Sequence, residues 1–199
     1  MAKPPHPLAA AQLIRAQVPV GSVWHHIFLR RFSDPLGFGL SASRFSDPRK
    51  KPPRQFGVYY VGQTFEAAFL ETILRDRKNG NPGSFVLSES DLSDYVHVGV
   101  TPLRALDVVD LRAGAGVALG LPTDALRAAS HRLGQRASLA LYQHPDRPDG
   151  IWYPSRLNGE DNLAIYDRAV SKLSAGFVRQ LQTCPELASV LDRYRVTLV

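Results

Sequence analysis

Cysteine is nearly absent from this chain, with Cys184 alone among 199 residues. One thiol excludes an internal disulfide and any multi-cysteine metal site, and a reducing cytoplasm suits such a sequence. Acidic residues are in deficit, 18 against 24 Lys and Arg, so the formal net charge is +6. That balance points to a phosphate-bearing ligand, nucleic acid or an acidic protein partner. Long apolar runs are also missing; none approaches the roughly 18 residues that a membrane span requires. The opening MAKPPHPLAAAQLIRAQVPV lacks the continuous apolar core and cleavage site of a secretory signal. What remains is 44% hydrophobic and 21% charged, the composition of a globular protein with a real core. We expect one domain over residues 13–199, preceded by a Pro- and Ala-rich tail or short helical arm at 1–12. The basic residues are dispersed except for Arg49, Lys50, Lys51 and Arg54, which lie among prolines and read as a solvated loop.

The chain is organised around Phe56 to Asp76, FGVYYVGQTFEAAFLETILRD. Val58–Val61 is β-branched and aromatic between two glycines, which predicts a strand. Thr64 is placed to cap a helix whose Phe65, Phe69 and Ile73 form one stripe, with Leu70 and Leu74 beside it. Glu71 sits on this apolar helix, three and four residues after Ala68 and Ala67. Because Cβ vectors lean toward the helix N-terminus, two alanines there leave room beside the carboxylate. An acid flanked by small residues and fed by an aromatic strand is a candidate ligand pocket. The alternative is a surface ion pair between Glu71 and Arg75.

Elsewhere, Val23–Leu29 reads as a first strand whose adjacent His25 and His26 point to opposite faces, one buried and one exposed. Arg31-Phe32-Ser33-Asp34-Pro35 recurs as Arg44-Phe45-Ser46-Asp47-Pro48, with a Gly- and Phe-containing loop between the copies. Asn79–Gly83 is a break, and strands are expected at 84–87, 95–100, 104–111 and 163–166. Thr123 is expected to cap a helix reaching about His144, and Ile151–Tyr153 is an aromatic strand broken by Pro154. A helix near 185–194 and a strand at 196–199 close the chain. Strands outnumber long helices and do not alternate with them, so the class is α+β.

Arg44, Tyr60, Glu71 and Ser155 are the candidates to converge on chemistry. Ser155 lacks the Gly-x-Ser-x-Gly elbow of a serine hydrolase, and Glu71 has no acidic partner for a paired-carboxylate mechanism. The set suits a phosphorylated nucleoside. An arginine fork holds pyrophosphate, aromatic faces stack a base, and a carboxylate grips ribose hydroxyls.

Three segments, SRFSDP at 43–48, GVYYVGQTFEAAFLET at 57–72 and GIWYPSRLNGEDNLAIY at 150–166, together resemble the RES domain family in order and spacing. This is the toxin half of RES–Xre toxin–antitoxin pairs, and the resemblance spans about residues 24–166. It implies a single domain similar to the ADP-ribosyltransferase fold, a small β core wrapped by helices. It implies NAD+ as substrate, cleaved at the nicotinamide–ribose bond by hydrolysis or phosphorolysis, or used to ADP-ribosylate a protein, without a metal. Arg44, Glu71 and Ser155 are then the catalytic positions, with Tyr60, Arg31 and His26 also contacting the dinucleotide. Glu71 would stabilise the oxocarbenium-like state, Arg44 bind diphosphate, Tyr60 pack on nicotinamide or ribose, and Ser155 hydrogen-bond either of them. The implied partner is an Xre-type helix-turn-helix antitoxin that blocks the active site, with no membrane and no direct nucleic-acid contact; a homodimer stays open. Many relatives have Trp-His-Arg where this chain has Trp24-His25-His26, so Arg30 or Arg31 is a substitute phosphate ligand. Arg44 is preferred over Arg31 because it lies directly before the central strand. A non-catalytic basic module binding nucleic acid or a partner is the reading from a different class.

Overall fold

The computed structural model describes residues 6–49, 55–75, 77, 83–122, 125 and 130–199. The β core is a nine-stranded sheet built from β1 (Arg15–Val18), β2 (Trp24–Leu29), β3 (Val58–Gly62), β5 (Tyr95–Pro102), β6 (Leu106–Asp110), β7 (Gly150–Pro154), β8 (Asp161–Tyr166), β9 (Leu173–Ala175) and β10 (Arg179–Gln180). Along the sheet the order is β1-β6-β7-β8-β3-β2-β5-β10, and β9 also pairs with β5. Only β6 and β7 run parallel within it. A second, two-stranded parallel sheet joins β4 (Phe85–Leu87) to β11 (Val196–Leu198). The α+β class expected from strand-rich, non-alternating patterning is therefore what the chain adopts.

Helices cover one face. Helix α1 (Phe65–Phe69) begins where Thr64 Oγ1 accepts the Ala67 N–H at 3.0 Å, satisfying an orphan donor of the first turn. It passes directly into a π-helical turn, Leu70–Leu74. Phe65, Phe69, Leu70, Ile73 and Leu74 are all buried, in one cluster with the helix Leu187–Arg193. Beside it on the same face, Phe45, Phe56, Tyr153 and Tyr166 pack with the helix Arg132–Tyr142. The opposite face carries Trp24, Tyr59, Val61, Val98, Leu163 and Ile165.

Several local expectations are refined or corrected. Of the two expectations for the Pro- and Ala-rich start, the short helical arm is the one that residues 7–10 adopt, as a 3-10 turn whose Leu8 is buried in the core. Pro154 ends β7 inside the ladder, opposite Asp161, instead of breaking the strand before it. Strands β1, β9 and β10 were not expected; they are short and stabilised by their neighbours, not by apolar alternation. The helix before His144 is described as Arg132–Tyr142, and Thr123 and Leu126 lie outside the described residues. So do Asp76, most of the break at 79–83, and Lys50, Lys51 and Arg54 of the basic cluster. Among the described residues, no helix is long and apolar enough to cross a membrane.

Candidate active site in a split of the sheet

One row of backbone pairing sets the site. His25 pairs with Gly62, Gly62 with Asn162, and Asn162 with Tyr153. Residues paired directly across neighbouring strands share a face, so His25, Asn162 and Tyr153 point to the side that α1 covers, as does Tyr60 two residues earlier. Gly62 is the position where α1 comes closest. A Cβ there would stand 2.7 Å from the Ala68 amide nitrogen, so the helix docks only on a bare backbone. Beyond this row β2 and β3 no longer pair, for His25–Gly62 is the one register pair between them. The opening left between the strands is a cavity of about 310 Å³ lined by residues including Arg44, Tyr60, Ala68, Glu71, Asn162 and Arg75.

Glu71 reaches this cavity from the π-helical turn. Such turns are rare and recur at functional sites. Its Oε1 accepts a hydrogen bond from Ser155 Oγ at 2.8 Å and a longer one from Asn162 Nδ2 at 3.4 Å. Arg75 Nη1 stands 3.9 Å from Oε2, an ion-pair distance too long for a hydrogen bond. Both readings of Glu71 are thus present at once, a pocket carboxylate and a loose i,i+4 partner of Arg75. Ser155 is 4% exposed and held in the β7–β8 turn, where its Oγ also accepts the Leu157 N–H. Its hydroxyl is therefore turned to Glu71 rather than into open space.

Arg44 is 7% exposed. Burial, then the charge of Arg156, lowers its pKa; Tyr153 and Glu71 oppose this, and Arg75 adds to it. A guanidinium withdrawn from water, with Arg156 and Arg75 as well as Glu71 in its field, can take an anion on this cavity. The loop that carries it is fixed by Tyr60, whose hydroxyl accepts the Phe45 N–H at 2.9 Å and shares a 2.9 Å hydrogen bond with Ser43 Oγ. Burial pushes the Tyr60 phenol up to about 12 against those two hydrogen bonds, so it stays neutral. Tyr60 thus brackets Arg44 from both sides.

The two histidines depart from expectation. Both are half-buried and hydrogen-bonded, where one was expected in water. His25 Nδ1 lies 3.0 Å from His97 Nε2. His26 Nδ1 lies 2.8 Å from the Tyr60 carbonyl, a group that only accepts, so Nδ1 carries the proton. That carbonyl is open to His26 because β2 has left β3 at this point. Burial outweighs the Tyr60 hydrogen bond and lowers His26 to about 4, leaving the ring neutral at physiological pH. Arg31 is not among the residues lining the Glu71 cavity; it lines an adjoining one.

The structure therefore brings Arg44, Tyr60, Glu71, Ser155 and His26 together, and sets Arg31 apart. Asn162 escaped sequence reasoning because an asparagine in an apolar strand carries no motif of its own; its pairing with both Gly62 and Tyr153 is what aims it at Glu71. Among the described residues there is no cluster of three or more His, Cys, Asp or Glu able to hold a metal ion.

Comparison with known proteins places the fold and the family. A chain of the crystal structure of the M. tuberculosis MbcT–MbcA toxin–antitoxin complex superposes with a TM-score of 0.65, covering 95% of this chain and 94% of its own, at 18% identity. A protein described as probable toxin y4kH, from Sinorhizobium fredii (strain NBRC 101917 / NGR234), is 40% identical over 129 residues, which are 63% of this chain and all of that protein. The family model for the RES domain matches residues 16–184, most of the sequence and all of the site, and the chain belongs to the RES domain family.

Proposed function

We propose that this chain is the toxin of a toxin–antitoxin pair and that it cleaves the nicotinamide–ribose bond of NAD+. The observation that carries this reading is the pairing, on one cavity, of a carboxylate held by Ser155 and Asn162 with a buried arginine, Arg44. Breaking the bond from ribose C1′ to the pyridinium nitrogen sends the electron pair to nicotinamide, which leaves neutral. No general acid is required. Charge develops on the ribose instead, and a preorganised carboxylate is suited to stabilise it. Glu71 takes that role and receives the ribose hydroxyls. Arg44 takes the diphosphate through its planar fork. Ser155 and Asn162 keep Glu71 oriented, and Tyr60 keeps Arg44 in place. A relative named as a probable toxin and a structural neighbour taken from a toxin–antitoxin complex support an antitoxin partner; we take it to be of the Xre type and to act by blocking this site.

The test is incubation of the purified chain, freed of antitoxin, with NAD+, resolving nicotinamide, ADP-ribose and phosphorylated products. NAD+ is expected to disappear, and Glu71→Gln to lose at least about 100-fold in kcat, the scale of removing one preorganised electrostatic group. Intact NAD+ after prolonged incubation at high enzyme refutes the reading. The products identify the acceptor: free ADP-ribose for water, a phosphorylated ADP-ribose for phosphate, and label on a protein band for an ADP-ribosyltransferase.

A further inference from the structure

The cavity around Glu71, about 310 Å³, lies at the lower limit for small-molecule sites, which span about 300–1,000 Å³. It suits the reacting half of a dinucleotide, and the rest must leave it. His26 and Thr72 line this cavity and also a second one of about 600 Å³. The second is built mainly by the first RFSDP copy, Arg31 to Asp34, and by Gly37 to Gly39 of the loop that follows it.

Its chemistry is that of a nucleoside site. Phe32 is 55% exposed and Phe38 43% exposed, two aromatic rings at the edge of one apolar hollow. The Arg31 guanidinium stands 5.2 Å from the centre of the Phe32 ring, a cation placed for stacking against a further π-face. Asp34 accepts the Leu36 N–H through Oδ1 at 2.9 Å, and a carboxylate has capacity left for hydroxyl donors. The loop is fixed where it matters. Tyr59 donates to the Pro35 carbonyl at 2.8 Å, and Gly39 bridges to Val58. The Phe38 ring rests on Gly57, where a Cβ would come within 1.9 Å of it.

We infer that this second cavity is the subsite for the adenosine half of the dinucleotide, with the base stacked on Phe38 and the ribose hydroxyls taken by Asp34. This rests on the proposed NAD+ reading for the first cavity. His26, neutral and set between the two cavities, marks the passage from one half to the other. Arg31 acts here on the base, whereas Arg44 serves the diphosphate.

Calorimetric titration of the full chain with AMP, and separately with nicotinamide mononucleotide, tests the assignment without relying on turnover. AMP is expected to bind, with affinity reduced about tenfold in Phe38→Ala, the size that stacking on one aromatic ring contributes. Gly57→Ala, which displaces the same ring without deleting it, is expected to weaken AMP similarly. The ratio of AMP to nicotinamide mononucleotide affinity should fall in both variants. AMP binding that is absent, or indifferent to Phe38, Phe32 and Gly57 together, overturns the proposal. The NAD+ assay is read independently: a chain that binds AMP through Phe38 yet leaves NAD+ intact sinks the cleavage reading while keeping the nucleoside subsite.

Discussion

Ser155 contributes through Glu71. Its hydroxyl donates to Oε1 at 2.8 Å, and a hydrogen bond to a charged group contributes about 1.5–3 kcal/mol. Ser155→Ala should therefore lower kcat on NAD+ by about 10- to 100-fold while KM stays within about twofold, and Ser155→Thr should recover part of the loss. A rise in KM with kcat unchanged would instead place the hydroxyl on the substrate. Tyr60→Phe is expected to act on the other wall. It removes the acceptor of the Phe45 N–H and the partner of Ser43 Oγ, so Arg44 loses its brace and KM rises. Circular dichroism on each variant separates these effects from unfolding. The serine, the glutamate and the arginine were legible from residue type and family order. Their division of labour was not, because a hydroxyl's partner is decided by a turn that closes only in three dimensions, here with Ser155 N–H donating to the Glu160 carbonyl.

Helix α1 and its π-helical turn separate two alanines that the sequence treats alike. Ala68 lines the Glu71 cavity, whereas Ala67 is fully buried and faces the bare backbone of Gly62. Ala68→Leu should fill the cavity, raising KM for NAD+ while the melting temperature changes little. Ala67→Leu should instead overpack the helix–sheet contact and cost about 1–3 kcal/mol of stability, measured by denaturant titration. Equal behaviour of the two would argue against the observed helix register. The duplicated RFSDP shows how far an element can be read from local sequence. Both copies form the same side-chain turn, Asp34 Oδ1 accepting Leu36 N–H and Asp47 Oδ1 accepting Arg49 N–H. Their surroundings diverge completely, with Phe45 1% exposed against 55% for Phe32. Turn chemistry is local and legible; burial is decided by the helix Arg132–Tyr142, whose Ser138 Oγ donates to the Phe45 carbonyl from 93 positions away.

At the scale of the whole molecule, the site exists because the sheet parts between β2 and β3. The α+β class followed from the spacing of strands and turns, but no local pattern marks where two paired strands will separate. The parting has an energetic consequence that pH exposes. His26 fills the place of a lost ladder partner by binding the Tyr60 carbonyl, and burial holds it at about 4. Burial, joined by the charge of His25, likewise lowers His97 to about 4. In the unfolded chain these rings titrate near 6.5. The native state thus binds fewer protons than the unfolded state between pH 4 and 6.5. Stability is then complete above about 6.5 and is lost as pH falls toward 4, the direction set by a native pKa below the unfolded one. For His26 alone the loss is roughly 3 kcal/mol across that window. Thermal melts from pH 7.5 to 4.5 should show a steep fall in Tm below 6.5. The fall should be shallower in His26→Gln, whose side chain keeps a donor for the Tyr60 carbonyl but has nothing to titrate. A wild-type Tm that is flat from pH 6.5 to 4.5 would mean that the histidines at the split are not held neutral by burial.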